Sequence, residues 1–296
     1  MAQTEASTAH RVSVRMASVP FWQLGVLGAL TLVVYGPTLG HLVGQWWHDP
    51  DFSHGFFVPL FSAFFIWQER DRLVRLTPKP AWSGLAVIAL GLIVFMLGQL
   101  GAELFLARSS LLLVLAGTVI LFFGWNVFRG LFFPWAFLLL MIPIPAILFG
   151  QITFPLQLLA SRVAANGLPL FGVPCLRLGN VIQVPGQTLE VAEACSGIRS
   201  LMSLITLAII YGYLVDKRVW VRWVLALASV PIAVIVNSMR IIGTGLLVYY
   251  TRDPSWGEGS FHALWGLSTF VVSLLLLFST HKLTRWARPE DGESHA

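Results

Sequence analysis

Glu190 to Ser200 reads Glu-Val-Ala-Glu-Ala-Cys-Ser-Gly-Ile-Arg-Ser, a polar stretch that ends where a strongly apolar run begins. Cys195, one of two cysteines, lies there among Glu190, Glu193 and Arg199. At the start of a helix a thiol is acidified by the helix dipole, and the thiolate is the nucleophile. Arg199, one turn on, acts in the same direction, and Glu193 opposes it. The plainer alternative is a small buried cysteine. Arg240 stands in Ile-Val-Asn-Ser-Met-Arg-Ile-Ile-Gly, within a run that carries no other charge from Trp223 to Tyr250. An arginine at the centre of a membrane helix costs about 2.5–3.5 kcal/mol, so it needs a partner or a wet cavity. Asn237 is three residues earlier, on the same helix face. Either Arg240 pairs with Glu190 or Glu193, or its guanidinium fork clamps an oxyanion or carboxylate. His262, in Phe-His-Ala-Leu-Trp-Gly, opens the last apolar run at the depth expected for Cys195. It is suited to move a proton to or from the thiol, or else packs at the interface beside Trp265.

Other groups compete for attention. His48, Asp49, Asp51 and His54 fall within seven residues, but they lack the helical His-x-x-x-His spacing of a zinc site. A loop that shapes the site, with Asp51 and His54 as supporting residues, fits better than a metal, and nothing in the sequence requires a cofactor. Cys175 and Cys195 are candidates for a disulfide in an oxidising compartment, which would exclude a catalytic thiol. Ser196 would be the nucleophile of a rhomboid-like enzyme, but Gly-x-Ser-x-Gly is absent and a thiol is the better nucleophile at neutral pH.

The elements that must position these residues are membrane helices. Of 296 residues 56% are hydrophobic and 11% charged, against about 25% charged in soluble domains. The basic balance, with a pI near 9.6, sits in short loops without interleaved aromatics, which excludes a nucleic-acid surface. Apolar runs near 21–42, 55–68, 83–102, 109–124, 131–149, 197–215, 223–250 and 263–280 predict an all-α polytopic membrane protein of about eight transmembrane helices. The seventh is long enough to tilt or break near Pro231. Residues 1–20 read as a cytoplasmic tail rather than a cleaved signal peptide, and 281–296 as a second cytoplasmic tail. With both termini inside, thirteen of the nineteen Lys and Arg fall in inner segments. Cys195 then faces outward. The 150–195 insert is also outside: an interfacial helix over Gln151–Leu170, then short strands near Cys175–Leu178, Val181–Val184 and Thr188–Ala192, separated by Gly179-Asn180 and Pro185-Gly186 turns. There is no internal repeat and no second soluble domain.

Four motifs in this order resemble the exosortases, multi-pass membrane cysteine transpeptidases of Gram-negative bacteria. They are Asp-Phe-Ser-His-Gly-Phe at 51–56, Glu-Ala-Cys-Ser-Gly-Ile-Arg-Ser at 193–200, Asn-Ser-Met-Arg-Ile at 237–241 and Phe-His-Ala-Leu-Trp-Gly at 261–266. The similarity extends from about Phe21 to Thr280, the expected catalytic domain. It implies a catalytic set of Cys195, Arg240 and His262 at the outer face of the inner membrane. The implied substrates are secreted proteins ending in a Pro-Glu-Pro-type signal, a transmembrane helix and a basic tail, cleaved through a thioester that passes to an acceptor or to water. The extra C-terminal domain often found in the family is not expected in a chain ending at Ala296. Membrane lipid is the other expected partner. The competing classes are a transporter, which would also bury Arg240, and a non-catalytic scaffold for exopolysaccharide assembly.

Overall fold

The computed structural model describes residues 21–185, 187–190, 197–253, 256 and 259–287, with the backbone alone for residues 21, 187, 189, 190 and 259–263. In chain order the helices are α1 (Phe21–His48), a 3-10 helix (Pro50–Phe56), α2 (Phe57–Gln68), α3 (Arg70–Val74), α4 (Ser83–Leu100), α5 (Leu104–Phe123) and α6 (Trp125–Phe137). A second 3-10 helix (Leu138–Met141) leads to α7 (Ala146–Gly167) and a third (Leu168–Phe171). Then come β1 (Leu176–Leu178), β2 (Val181–Val184), β3 (Gln187–Glu190), α8 (Ile198–Val215), α9 (Val219–Thr251) and α10 (Gly259–Ala287). Among the described residues seven helices are long and apolar enough to cross a membrane. Large apolar side chains such as Val33, Ile147 and Leu170 are more than 70% exposed, as expected where the solvent is lipid. The chain is an all-α polytopic membrane protein with one small sheet.

The structure modifies several of these runs. The run at 131–149 is not one helix, because Pro143 and Pro145 lack the N–H that a helix needs and push their predecessors to extended backbone; Ile142 has ψ 117° and Pro145 itself ψ 137°. The chain restarts as α7, so the helix read from Gln151 begins five residues earlier, and Ala146–Phe171 is also long and apolar enough to cross. The run at 55–68 is divided between the end of the 3-10 helix Pro50–Phe56 and the twelve-residue α2, which follows it without a break. Nor does Pro231 break the long run: α9 is continuous over 33 residues, about 50 Å.

The chain divides into two compact units. The first holds residues up to Trp47 and Pro59–Ile142. Its α4–α5 hairpin closes tightly because a Cβ on Gly91 would lie 2.9 Å from Val114, and one on Gly98 would lie 2.5 Å from the Ala107 nitrogen. Small residues at such seams let membrane helices approach. Polar side chains bind α1 to this hairpin, with Tyr35 hydrogen-bonded to Ser110 and Gln99 to Thr38.

The second unit holds His48–Val58 and Pro143–Ala296. Its centre is α8, α9 and α10 packed antiparallel in succession, around Leu204 and Ala208 of α8, Val221, Leu225 and Ala233 of α9, and Leu277 of α10. The antiparallel sheet β1-β2-β3 lies on a second cluster made by Ala160, Ala164 and Leu168 with Ile241. On β2 Ile182 and Val184 are buried while Gln183 is exposed, the period-two pattern of a half-covered strand. Gly179, at φ +67°, forms the two-residue turn that pairs Leu178 with Val181. The strands match the sequence reading to within two residues. The sheet therefore hands the chain from the end of α7 toward the start of α8.

Candidate active site

The site is built on one stretch of α9. Val236, Asn237, Ser238, Arg240 and Ile241 are all buried, while Met239 is 62% exposed, so this turn of helix is enclosed except on one side. Asn237 and Arg240, three residues apart, look the same way.

The start of α8 packs on Asn237. Gly197 caps the helix at φ +81°, a left-handed conformation that side chains resist. Its carbonyl accepts the first helical bond, from the Leu201 N–H at 2.8 Å. A Cβ on Gly197 would lie 3.0 Å from Asn237 Cγ. The glycine is thus required twice, by conformation and by space. The start of α10 packs one turn along. A Cβ on Gly266 would lie 3.5 Å from the Arg240 guanidinium carbon, and one on Gly243 would lie 2.8 Å from the Trp265 ring. Trp265 Nε1 donates to the Arg240 carbonyl at 3.3 Å. The described residues beside Cys195 and His262 therefore meet on one segment of α9, Asn237 to Gly243.

The 3-10 helix from the first motif joins the same end. Asp49 caps it, its Oδ1 accepting from the Asp51 N–H at 3.0 Å. Asp51 Oδ1 accepts from Arg199 Nε at 2.8 Å, with the Arg199 side chain 44% exposed. Arg199 is thus committed to a carboxylate, which weakens its expected help to a nearby thiolate. Phe52 packs on Phe149 with ring centroids 5.3 Å apart, and His54 is buried. Asp49 and Asp51 are both engaged within the protein. Among the described residues no group of three or more His, Cys, Asp or Glu is placed to share a metal ion.

Cys195, Glu193 and Ser196 lie outside the described residues. Glu190 ends β3, its backbone paired with Val181, and His262 falls in the first turn of α10; the side chains of both lie outside the description. Cys175 carries a free thiol rather than a disulfide. Its Sγ donates to the Ala165 carbonyl at 3.2 Å, and burial pushes its pKa up. All four sequence motifs reach the second unit. Residue-type reasoning did not single out Gly197, Gly243 or Gly266, and named Trp265 only as a neighbour of His262; the signal for Gly197 was a glycine immediately before an apolar helical run.

A separate polar cluster lies at the opposite end of the three helices. Asp216, between α8 and α9, accepts from Arg218 Nε at 3.0 Å, Nη2 at 2.8 Å and the Arg218 N–H at 2.8 Å. His281 Nε2 is 3.4 Å from the same carboxylate, and its Nδ1 is 2.9 Å from the Tyr211 hydroxyl. The Arg218 guanidinium bonds hold the Asp216 carboxyl well below the ordinary carboxylate value despite its burial, helped by the Arg218 N–H and His281.

A family model described as "Transmembrane exosortase" matches residues 46–279, which include all four motifs. No curated protein and no solved structure matches the chain.

Proposed function

The chain belongs to the transmembrane exosortase family, and from that premise we propose that it is a membrane-embedded cysteine protease and transpeptidase acting on the C-terminal sorting signals of secreted proteins. The observation that carries this reading is the packing of Gly197 on Asn237 and of Trp265 and Gly266 on the next turn. Cys195 is two residues before Gly197, and His262 is one helical turn before Gly266. Because α8 and α10 both run antiparallel to α9, stepping back from Gly197 leads from Asn237 toward Arg240, and stepping back from Gly266 leads from Arg240 one turn toward the C-terminal end of α9.

In this reading Cys195, just ahead of the positive end of α8, loses its proton to His262. The thiolate attacks the substrate's peptide carbonyl. The S–C bond forms while Arg240 donates to the oxyanion, buried where such a donor is worth far more than in water. The C–N bond then breaks and the proton on His262 passes to the leaving amine. A second nucleophile, an acceptor amine or hydroxyl or else water, attacks the thioester and releases the thiol. Asp51 holds Arg199 at the mouth of the site, and Asn237 fixes the start of α8. Glu190, Glu193, Ser196 and His54 are assigned supporting roles. The site opens to the outer side of the inner membrane, and the substrate's own transmembrane helix brings its signal to that depth.

The test is processing of a co-expressed tailed substrate by variants present at wild-type level. Cys195→Ala, Arg240→Ala and His262→Ala each abolish processing, and Cys175→Ser leaves it intact. Full processing by Cys195→Ala would remove the nucleophile assignment.

A further inference from the structure

In the first compact unit, Arg108 lies in the second turn of α5 and is 4% exposed. Its Nη1 donates to Gln45 Oε1 of α1 at 2.8 Å. Among the described residues that is the only hydrogen bond of the guanidinium; its Nε is buried with no acceptor, and no carboxylate lies within ion-pair distance. Glu103, the carboxylate nearest in sequence, caps α5 through the Phe105 N–H at 3.2 Å. Other polar groups of the unit bond to one another, Tyr35 with Ser110, Thr38 with Gln99, and Trp46 Nε1 with the Met141 carbonyl, while the Ser109 hydroxyl, like Arg108 Nε, is buried without a partner. Arg108 thus holds a buried charge for which no described residue supplies a counter-charge, and such a charge is costly.

Two groups beside it favour an anion. The guanidinium fork matches phosphate oxygens bidentately, the amide nitrogen of Gln45 is a further donor, and the N-terminal end of α5 adds partial positive charge. The surface around it is apolar and open, with Val43 45%, Trp47 76% and Leu104 51% exposed, and tryptophan is the residue type of the membrane interface. A ligand that satisfies both features has an anionic head and an acyl tail. We propose that Arg108 and Gln45 seat the phosphate of one tightly held phospholipid between α1 and α5.

The experiment is native mass spectrometry of the full chain purified in detergent, titrated with phosphatidylglycerol in one arm and inorganic phosphate in the other. Wild type retains one phospholipid through extended washing, and Arg108→Gln binds it at least tenfold more weakly. Phosphatidylglycerol raises the wild-type unfolding temperature more than that of Arg108→Gln. Gln45→Glu supplies the missing carboxylate within the protein, so it releases the lipid while keeping the thermal stability of the wild type. That variant keeps the test decisive should Arg108→Gln fail to fold. Equal lipid retention by wild type and Gln45→Glu overturns the proposal, as does binding of inorganic phosphate with no retained phospholipid.

Discussion

Replacing Gly197 by alanine probes the joint between α8 and α9 with two separable costs. The first is conformational: φ is +81°, and an L-residue held in the left-handed region loses about 1–2 kcal/mol. The second is steric. The new methyl would lie 3.0 Å from Asn237 Cγ, and overpacking of this kind costs about 1–3 kcal/mol. Gly179 provides the control. Its φ is +67° as well, but no atom lies within 4 Å of its Cβ direction, so Gly179→Ala carries the conformational cost alone. Thermal unfolding in detergent is therefore expected to rank Gly197→Ala below Gly179→Ala by the steric cost. Gly197→Ala is also expected to lower substrate processing, because Asn237 and the start of α8 must part. Shortening Asn237 to alanine in the Gly197→Ala background removes the contacts at Cγ and Nδ2 but keeps Cβ at 3.1 Å, so it recovers only part of the steric share of stability. Equal stability of the two single variants, with full processing by Gly197→Ala, would refute the argument that this contact sets the site.

Three further outcomes follow from the geometry. Gly266→Ala meets the Arg240 guanidinium carbon at 3.5 Å, an ordinary contact, and keeps activity. Gly266→Leu displaces that group and lowers turnover by about 10²-fold, the scale of losing one oxyanion donor, as single-turnover kinetics would show. Asp51→Asn costs no more than about 1 kcal/mol, since solvent screens a half-exposed Arg199. Processing lost on reversing either charge returns in the Asp51→Arg, Arg199→Asp double variant. Because the Asp216 pKa is depressed in the folded state, its contribution is present above the ordinary carboxylate value near about 3.9 and lost as pH falls through the folded value. Asp216→Asn therefore loses about 3 kcal/mol at neutral pH, and its unfolding temperature depends less on pH below about 4 than that of the wild type.

Much of this architecture was legible in the sequence because the bilayer is a severe solvent. A run such as 83–102 must satisfy its backbone internally, so it becomes a helix whatever its neighbours do. The sheet was legible for a local reason: Gly179 and the alternation of Val181 to Val184 specify a hairpin. Hydropathy misread 131–149 because it averages over Pro143 and Pro145, whose effect is on the backbone rather than on transfer energy. It started the Gln151–Leu170 helix five residues late, because Ala146 to Gly150 are as apolar as the run before them and only Pro143 and Pro145 mark the boundary. At the site, rare polar residues in an apolar run pointed to Asn237 and Arg240. The partners that position them, Gly197, Gly243 and Gly266, matter for the side chains they lack, and only helix packing reveals that. The Arg199–Asp51 pair, 148 residues apart in sequence, has no local signal at all.

The central claim is that the thiol of Cys195 carries the substrate as a thioester, and trapping that species tests it most directly. Membranes co-expressing the chain and a tailed substrate would be resolved on a non-reducing gel, with and without hydroxylamine. An adduct cleaved by hydroxylamine, absent in Cys195→Ala and unchanged in Cys175→Ser, is the predicted result. Processing of the substrate with no adduct in wild type, or an adduct that persists in Cys195→Ala, would contradict the account.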